Sequence, residues 1–143
     1  MVMGAGTVFR FSAERKNLSA IRDFVESQMA EAGAGQKNID DLIQAVDEAA
    51  TNIIVHGYRD LPGWIEVEVR VTRRTATVIL RDQAPTFHPD EAPRPDLTLP
   101  LHKRPVGGLG VYLMRKCVDE LKHNTPEGGG NELFLVKRLE EDS

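Results

Sequence analysis

Asp47-Glu48-Ala49-Ala50-Thr51-Asn52-Ile53-Ile54-Val55-His56-Gly57-Tyr58 is the most informative segment of this 143-residue chain. It reads as helix, and residues four apart on a helix are neighbours on one side. Glu48 and Asn52 therefore lie roughly 40° apart at about 100° per residue. Glu48 can accept a proton, and the Asn52 carboxamide offers a neutral oxygen to a hard cation such as Mg2+. Downstream, Val106-Gly107-Gly108-Leu109-Gly110-Val111 opens another helix with glycines, where backbone N–H groups can receive phosphate. Together the two segments point to a site that holds a metal–nucleotide and acts on its terminal phosphate.

Working outward, the helix around Glu48 begins at an expected Asn38 cap, runs through His56 and ends at Gly57. Its apolar stripe is Ile39, Leu42, Ile43, Val46, Ala50 and Ile53. Glu48 and Asn52 fall outside that stripe, so periodicity alone makes them a solvated pair. A preceding helix, capped by Asn17 or Ser19, is expected to run to about Ala32 with Ile21, Phe24, Val25 and Met29 inward, and Gly33-Ala34-Gly35 breaks it. Thr7 to Ser12 alternates as a first strand.

Trp64 to Val71 alternates Ile65, Val67, Val69 and Val71 with Glu66, Glu68 and Arg70. Arg73-Arg74 turns it back into a strand from Thr75 to Asp82, where Ala76, Val78, Leu80 and Asp82 share a face. A carboxylate ending an inward row needs a donor, because burying a charge unpaired is costly. Asp82 is either a ligand contact or the start of a turn, and the residues leave both open. From Gln83 to Val106 the chain is proline-rich and lacks periodicity, as a lid or binding loop would be. A helix from about Gly108 to Val118 and a hairpin of Glu120–Asn124 with Asn131–Arg138 complete the chain.

The order β-α-α-β-β-loop-α-β-β predicts an α+β fold: a two-layer sandwich with helices on one face of a mixed, mainly antiparallel sheet. A single domain over 7–139 is expected, with tails at 1–6 and 140–143. The net charge of -4 and the scattering of the basic residues argue against a nucleic-acid-binding surface. The lone Cys117 allows no internal disulfide and sits at core spacing with Met114, Val118 and Leu121. No apolar run approaches the roughly 20 residues of a membrane span, and no secretory pattern opens the chain. A cytoplasmic location without membrane contact is the expectation. Gly108-x-Gly110 lacks the third glycine of a dinucleotide fingerprint, no phosphate loop ending in Gly-Lys-Ser/Thr is present, and the four histidines show no metal-ligand spacing.

Three separated segments resemble the Bergerat-type (GHKL) ATPase and kinase superfamily. More narrowly they are similar to its single-domain branch, the anti-sigma-factor serine/threonine kinases. They are Glu48-x-x-x-Asn52 with His56-Gly57-Tyr58, then Asp82-Gln83-Ala84-Pro85-Thr86-Phe87-His88-Pro89, then Arg104-Pro105-Val106-Gly107-Gly108-Leu109-Gly110-Val111-Tyr112-Leu113-Met114. The closing Gly128-Gly129-Gly130-Asn131-Glu132-Leu133 hairpin also fits. The resemblance implies ATP and Mg2+ as cofactors. Glu48 would be the general base, Asn52 would coordinate Mg2+ on the triphosphate, and Asp82 would accept from the adenine amine. Ala84 would approach the base, Gly107, Gly108, Leu109 and Gly110 would form the lid hinge and phosphate cradle, and Arg104 would reach the γ-phosphate.

The activity so implied is phosphorylation of a STAS-type anti-sigma-factor antagonist on serine. The partners would be that antagonist and a sigma factor or other output protein, with a homodimer as a further implication. Ala84 and Thr86 stand where the family carries glycine, and glycine or proline. Nucleotide affinity is the property these replacements bear on. The alternative is a non-catalytic adaptor of the same fold that binds a sigma factor or antagonist with weak or no ATP use.

Overall fold

The computed structural model describes residues 6–85 and 108–139. Strand β1 (Thr7–Ser12) leads through a 3₁₀ turn into α1 (Leu18–Glu31) and α2 (Gln36–Thr51). Strands β2 (Trp64–Val71) and β3 (Thr75–Asp82) follow, then α3 (Gly108–Cys117), β4 (Glu120–Asn124) and β5 (Asn131–Arg138). The sheet order is β1-β2-β3-β5-β4, and every neighbouring pair runs antiparallel. The two-layer α+β architecture is as expected. The sheet is wholly antiparallel among the described residues, because each strand returns along its neighbour and none needs a crossover in the same direction.

Alternation positions the two faces, although Glu68 and Ile79 on the outer face are buried as well. Ile65, Val67, Ala76, Val78, Leu80 and Leu135 are fully buried against the helices. The opposite face carries an ion-pair lattice centred on Arg81, which donates to Glu132 (2.7 Å), Glu68 (2.9 Å) and Glu66 (3.3 Å). Glu68 also accepts from Arg70. Burial pushes the Glu68 carboxyl up, but the hydrogen bonds from Arg70 and Arg81 outweigh it and hold the group below the usual carboxylate range.

Helix boundaries differ from expectation at the caps. Asn17 precedes α1, but its Nδ2 donates to the Ser12 carbonyl and hydroxyl instead of its oxygen accepting from the first turn. The end of α1 is a Schellman motif: Gly33 takes φ +86, its N–H donates to Ala30 O, and the Ala34 N–H donates to Met29 O. Helix α2 starts at Gln36 with Gly35 in the cap position, two residues before Asn38. Gly35 is extended (φ -69, ψ 151), so the chain enters the helix directly, and Gln36 donates to Asp40 one turn on.

The largest departure is at the other end of α2. From Asn52 to Gly57 the helix widens into a π turn, marked by the Tyr58 N–H donating to Ile53 O five residues back. The wider turn rotates the apolar row: Ile54 is fully buried and Ile53 only partly so, reversing the expected order. Helix α2 also packs against both α1 and α3. Its buried surface is therefore broader than one stripe and includes Ala45 and Ala49. None of the helices among the described residues is long and apolar enough to cross a membrane.

Candidate functional site

The π turn, the end of β3 and the start of β5 surround a cavity of about 750 Å³. Asn52, His56 and Tyr58 line it from the α2 side, Asp82 and Ala84 from β3 and its turn, and Asn131 from β5. Met114 of α3 and His123 of β4 also contribute. The fold thus brings Asn52, Asp82 and Ala84, far apart in sequence, onto one space.

Asp82 is only 2% exposed. The Ala84 N–H donates to its Oδ1 (2.8 Å), which makes a side-chain-closed turn, and Asn131 Nδ2 donates to the same oxygen (2.9 Å). Asp82 therefore forms the turn that the sequence offered as one alternative, and its side chain also lines the cavity. Burial pushes its carboxyl above the ordinary range, against the hydrogen bonds from Asn131 and Ala84 and the charge of His123. Among the described residues both hydrogen bonds fall on Oδ1, so Oδ2 is the oxygen left to accept from a ligand.

Ala84 does not strain this turn. It is absent from the left-handed backbone positions, which among the described non-glycine residues are taken by Arg59 (φ 55) and Asp60 (φ 59). A residue with an ordinary backbone does not require glycine. Its methyl faces Gly57, where an added Cβ would stand 3.0 Å away. Gly57 thus leaves room for Ala84, whereas the sequence assigned it a helix-ending role. Gly130 closes the same corner: φ is +84, and a Cβ there would lie 2.2 Å from Asp82 O.

Asn52 and Glu48 are partly buried instead of solvated. Asn52 Nδ2 is buried and has no hydrogen-bond partner among the described residues, a costly state unless a ligand supplies one. Rotating the carboxamide exchanges donor for acceptor, so the position can equally present oxygen to a cation. Such a residue fits a hard cation that arrives with phosphate oxygens. Among the described residues no group of three or more His, Cys, Asp or Glu is placed to hold a metal, so phosphates would have to complete the shell. Glu48 does not line the cavity, although its neighbours Ala49 and Asn52 do. Burial, then the charge of Asp47, raises its carboxyl above the ordinary range.

Gly108, Leu109 and Gly110 form the first turn of α3. Arg104, Gly107 and Thr86 lie outside the described residues. Sequence reasoning assigned no role to Tyr58, His123 or Asn131. Tyr58 braces the turn: its hydroxyl donates to Trp64 O (2.8 Å) and accepts from the Gln83 N–H (2.8 Å). Asn131 is the cross-strand partner of Asp82, a register that no local pattern encodes.

Comparison with known proteins bears on the family and the fold. A model of the Histidine kinase-like ATPase domain matches residues 11–137. The chain is 28% identical over 137 residues to the anti-sigma F factor of Clostridium acetobutylicum, covering 91% of each. It is 30% identical over 133 residues to that of Bacillus cytotoxicus, covering 91% of this chain and 90% of the relative. A crystal structure of the RsbU and RsbW domains of a Mycobacterium tuberculosis protein shares the fold, with a TM-score of 0.66 at 20% identity. That match covers 96% of this chain and 34% of the longer one. With the match spanning nearly the whole chain, this protein belongs to the histidine kinase-like ATPase domain family, beside the anti-sigma F factors.

Proposed function

We propose that this protein is an ATP-binding anti-sigma regulatory factor that phosphorylates a STAS-type antagonist protein on serine. The observation that carries the proposal is the meeting on one cavity of Asn52 and Asp82, whose buried amide and Oδ2, respectively, lack a partner among the described residues. In this reading Asp82 Oδ2 accepts from the adenine amine, and the Asn52 carboxamide holds Mg2+ together with the phosphates. Bound Mg2+ would neutralise charge on the triphosphate. Glu48, one turn before Asn52 and half-buried, takes the proton of an incoming serine hydroxyl. Its raised affinity for protons suits a base that must compete for one near neutral pH. By the family resemblance, Gly107, Gly108, Leu109 and Gly110 would supply the lid hinge and phosphate cradle and Arg104 would serve the γ-phosphate, with the α3 N-terminus adding positive potential.

The similarity to proteins named anti-sigma F factors supports a sigma factor, or another output protein, as the partner held in the alternate state. A homodimer and a cytoplasmic setting belong to the same proposal.

Two measurements test it. A thermal-shift titration with ATP and Mg2+ should stabilise the protein by about 2.7 kcal/mol at 100 times the dissociation constant. Labelled γ-phosphate should pass to the antagonist in the wild type. Stabilisation without transfer would leave ATP binding and reject the kinase. No stabilisation at millimolar ATP would favour a non-catalytic adaptor.

A further inference from the structure

Strands β3, β5 and β4 supply three linked polar side chains to the cavity wall: Asp82, Asn131 and His123. Among the described residues, the Nδ2 of Asn131, 7% exposed, donates to Asp82 Oδ1 (2.9 Å), Ala84 O (3.2 Å) and Pro85 O (3.2 Å). A carboxamide has donors at one end and an acceptor at the other, so this environment permits one orientation. Oδ1 of Asn131 then faces His123 Nε2 at 2.8 Å, and that nitrogen must carry a hydrogen. Asn131 ties the two ends of the Asp82 turn together while His123 holds Asn131.

We propose that His123, acting through Asn131, positions the Asp82 carboxylate so that Oδ2 is a fixed acceptor in the cavity. This makes the site selective for a base with an exocyclic amine over one with a carbonyl at that place. The inference rests on the nucleotide reading above. A carbonyl opposite a fixed carboxylate oxygen sets two acceptors against each other and leaves both without a donor. Sites built on a buried polar group discriminate strongly against a ligand that cannot pair with it. His123 and Asn131 are positioning residues. The donor from Asn131 also favours the ionised form of Asp82, so its loss should move the pH dependence of binding. Among the described residues, the other titratable or charged groups lining the cavity are His56, Tyr58 and Arg59.

The test uses the full chain, with Asn131→Asp, His123→Leu and His123→Gln beside the wild type. Affinities for ATP and GTP with Mg2+ are measured calorimetrically from about pH 5 to about pH 8, with melting curves for each variant. Asn131→Asp keeps the shape and replaces the fixed amide donor by a carboxyl that competes with Asp82 for a proton. It should lose about tenfold to hundredfold in ATP affinity, bring the ATP:GTP ratio toward one, and raise the pH at which ATP affinity halves. His123→Leu should move the same way by less, and His123→Gln, which retains an N–H donor, should recover most of the loss. If Asn131→Asp does not fold, the His123 pair at its half-exposed position carries the test. Folded variants that keep the ATP affinity and the ATP:GTP ratio within about twofold overturn the positioning role. So does an equal loss for both nucleotides with an unmoved pH profile. A wild type blind to ATP removes the nucleotide reading and this inference together, whereas an ATP-binding wild type with unmoved variants removes this inference alone.

Discussion

The Ala84 methyl fills the space beside Gly57, where an added Cβ would stand 3.0 Å from it. The turn after Asp82 and the π turn after Asn52 are thus fitted to each other through one glycine and one alanine. Gly57→Ala should overpack this contact and cost about 1–3 kcal/mol. Denaturant unfolding measures the loss, and adding Ala84→Gly should return most of it. A double variant no more stable than Gly57→Ala alone would show that the crowding lies elsewhere.

Asn52 should trade stability for binding. A buried amide without a partner costs about 1–3 kcal/mol, and alanine is the best helix former. Free Asn52→Ala should therefore melt at or above the wild-type temperature, yet lose the stabilisation by ATP and Mg2+. A variant that melts lower and still responds to ATP would contradict both halves.

For Glu48 the sign follows from burial. The folded carboxyl binds its proton more tightly than the unfolded one, so its contribution is full below the ordinary carboxylate range and is lost as pH rises through the folded value. Glu48→Gln removes that slope and should be at least as stable as the wild type at neutral pH. Transfer to the antagonist should fall by about 10²–10⁴-fold, with ATP binding retained. Melting curves across the acid-to-neutral range and labelled transfer assays check the two parts.

The outer face of the sheet should respond to acid in the opposite sense. Glu68 and Glu132 are both pushed up by burial but brought below the usual range by hydrogen bonds, from Arg70 and Arg81 in one case and Arg81 and Asn124 in the other. Their contribution is present above the ordinary carboxylate range and lost as pH falls through the folded values. Arg81→Ala should cost about 1–3 kcal/mol at neutral pH, and the gap from wild type should narrow in acid. Urea titrations at neutral and acid pH give the comparison.

Strands were legible because a sheet covered on one face imposes a period of two. Thr7–Ser12, Trp64–Val71, Thr75–Asp82, Glu120–Asn124 and Asn131–Arg138 are found at the expected bounds. The helix caps at Asn17 and Asn38 were not legible, since a capping residue type says nothing of whether its side chain has a better partner. Nor was the π turn, because Ile53 and Ile54 are equally apolar and only packing decides which one faces inward. Ala84 stands where the resemblance leads one to expect glycine. Its ordinary φ and its contact with Gly57 appear only when the two turns are placed together.

Local periodicity and turn chemistry, read from the residues, determined the elements, their order and the inward parity of Asp82, because these depend on neighbours within a few positions. Which side chains complete the site was decided by tertiary structure. The pairing of Asp82 with Asn131, the link onward to His123 and the burial of Asn52 depend on strand register and on helices covering α2 from two sides. Contacts between residues roughly 50 positions apart in a sheet are set by how whole strands pair, and no short stretch of sequence specifies that pairing.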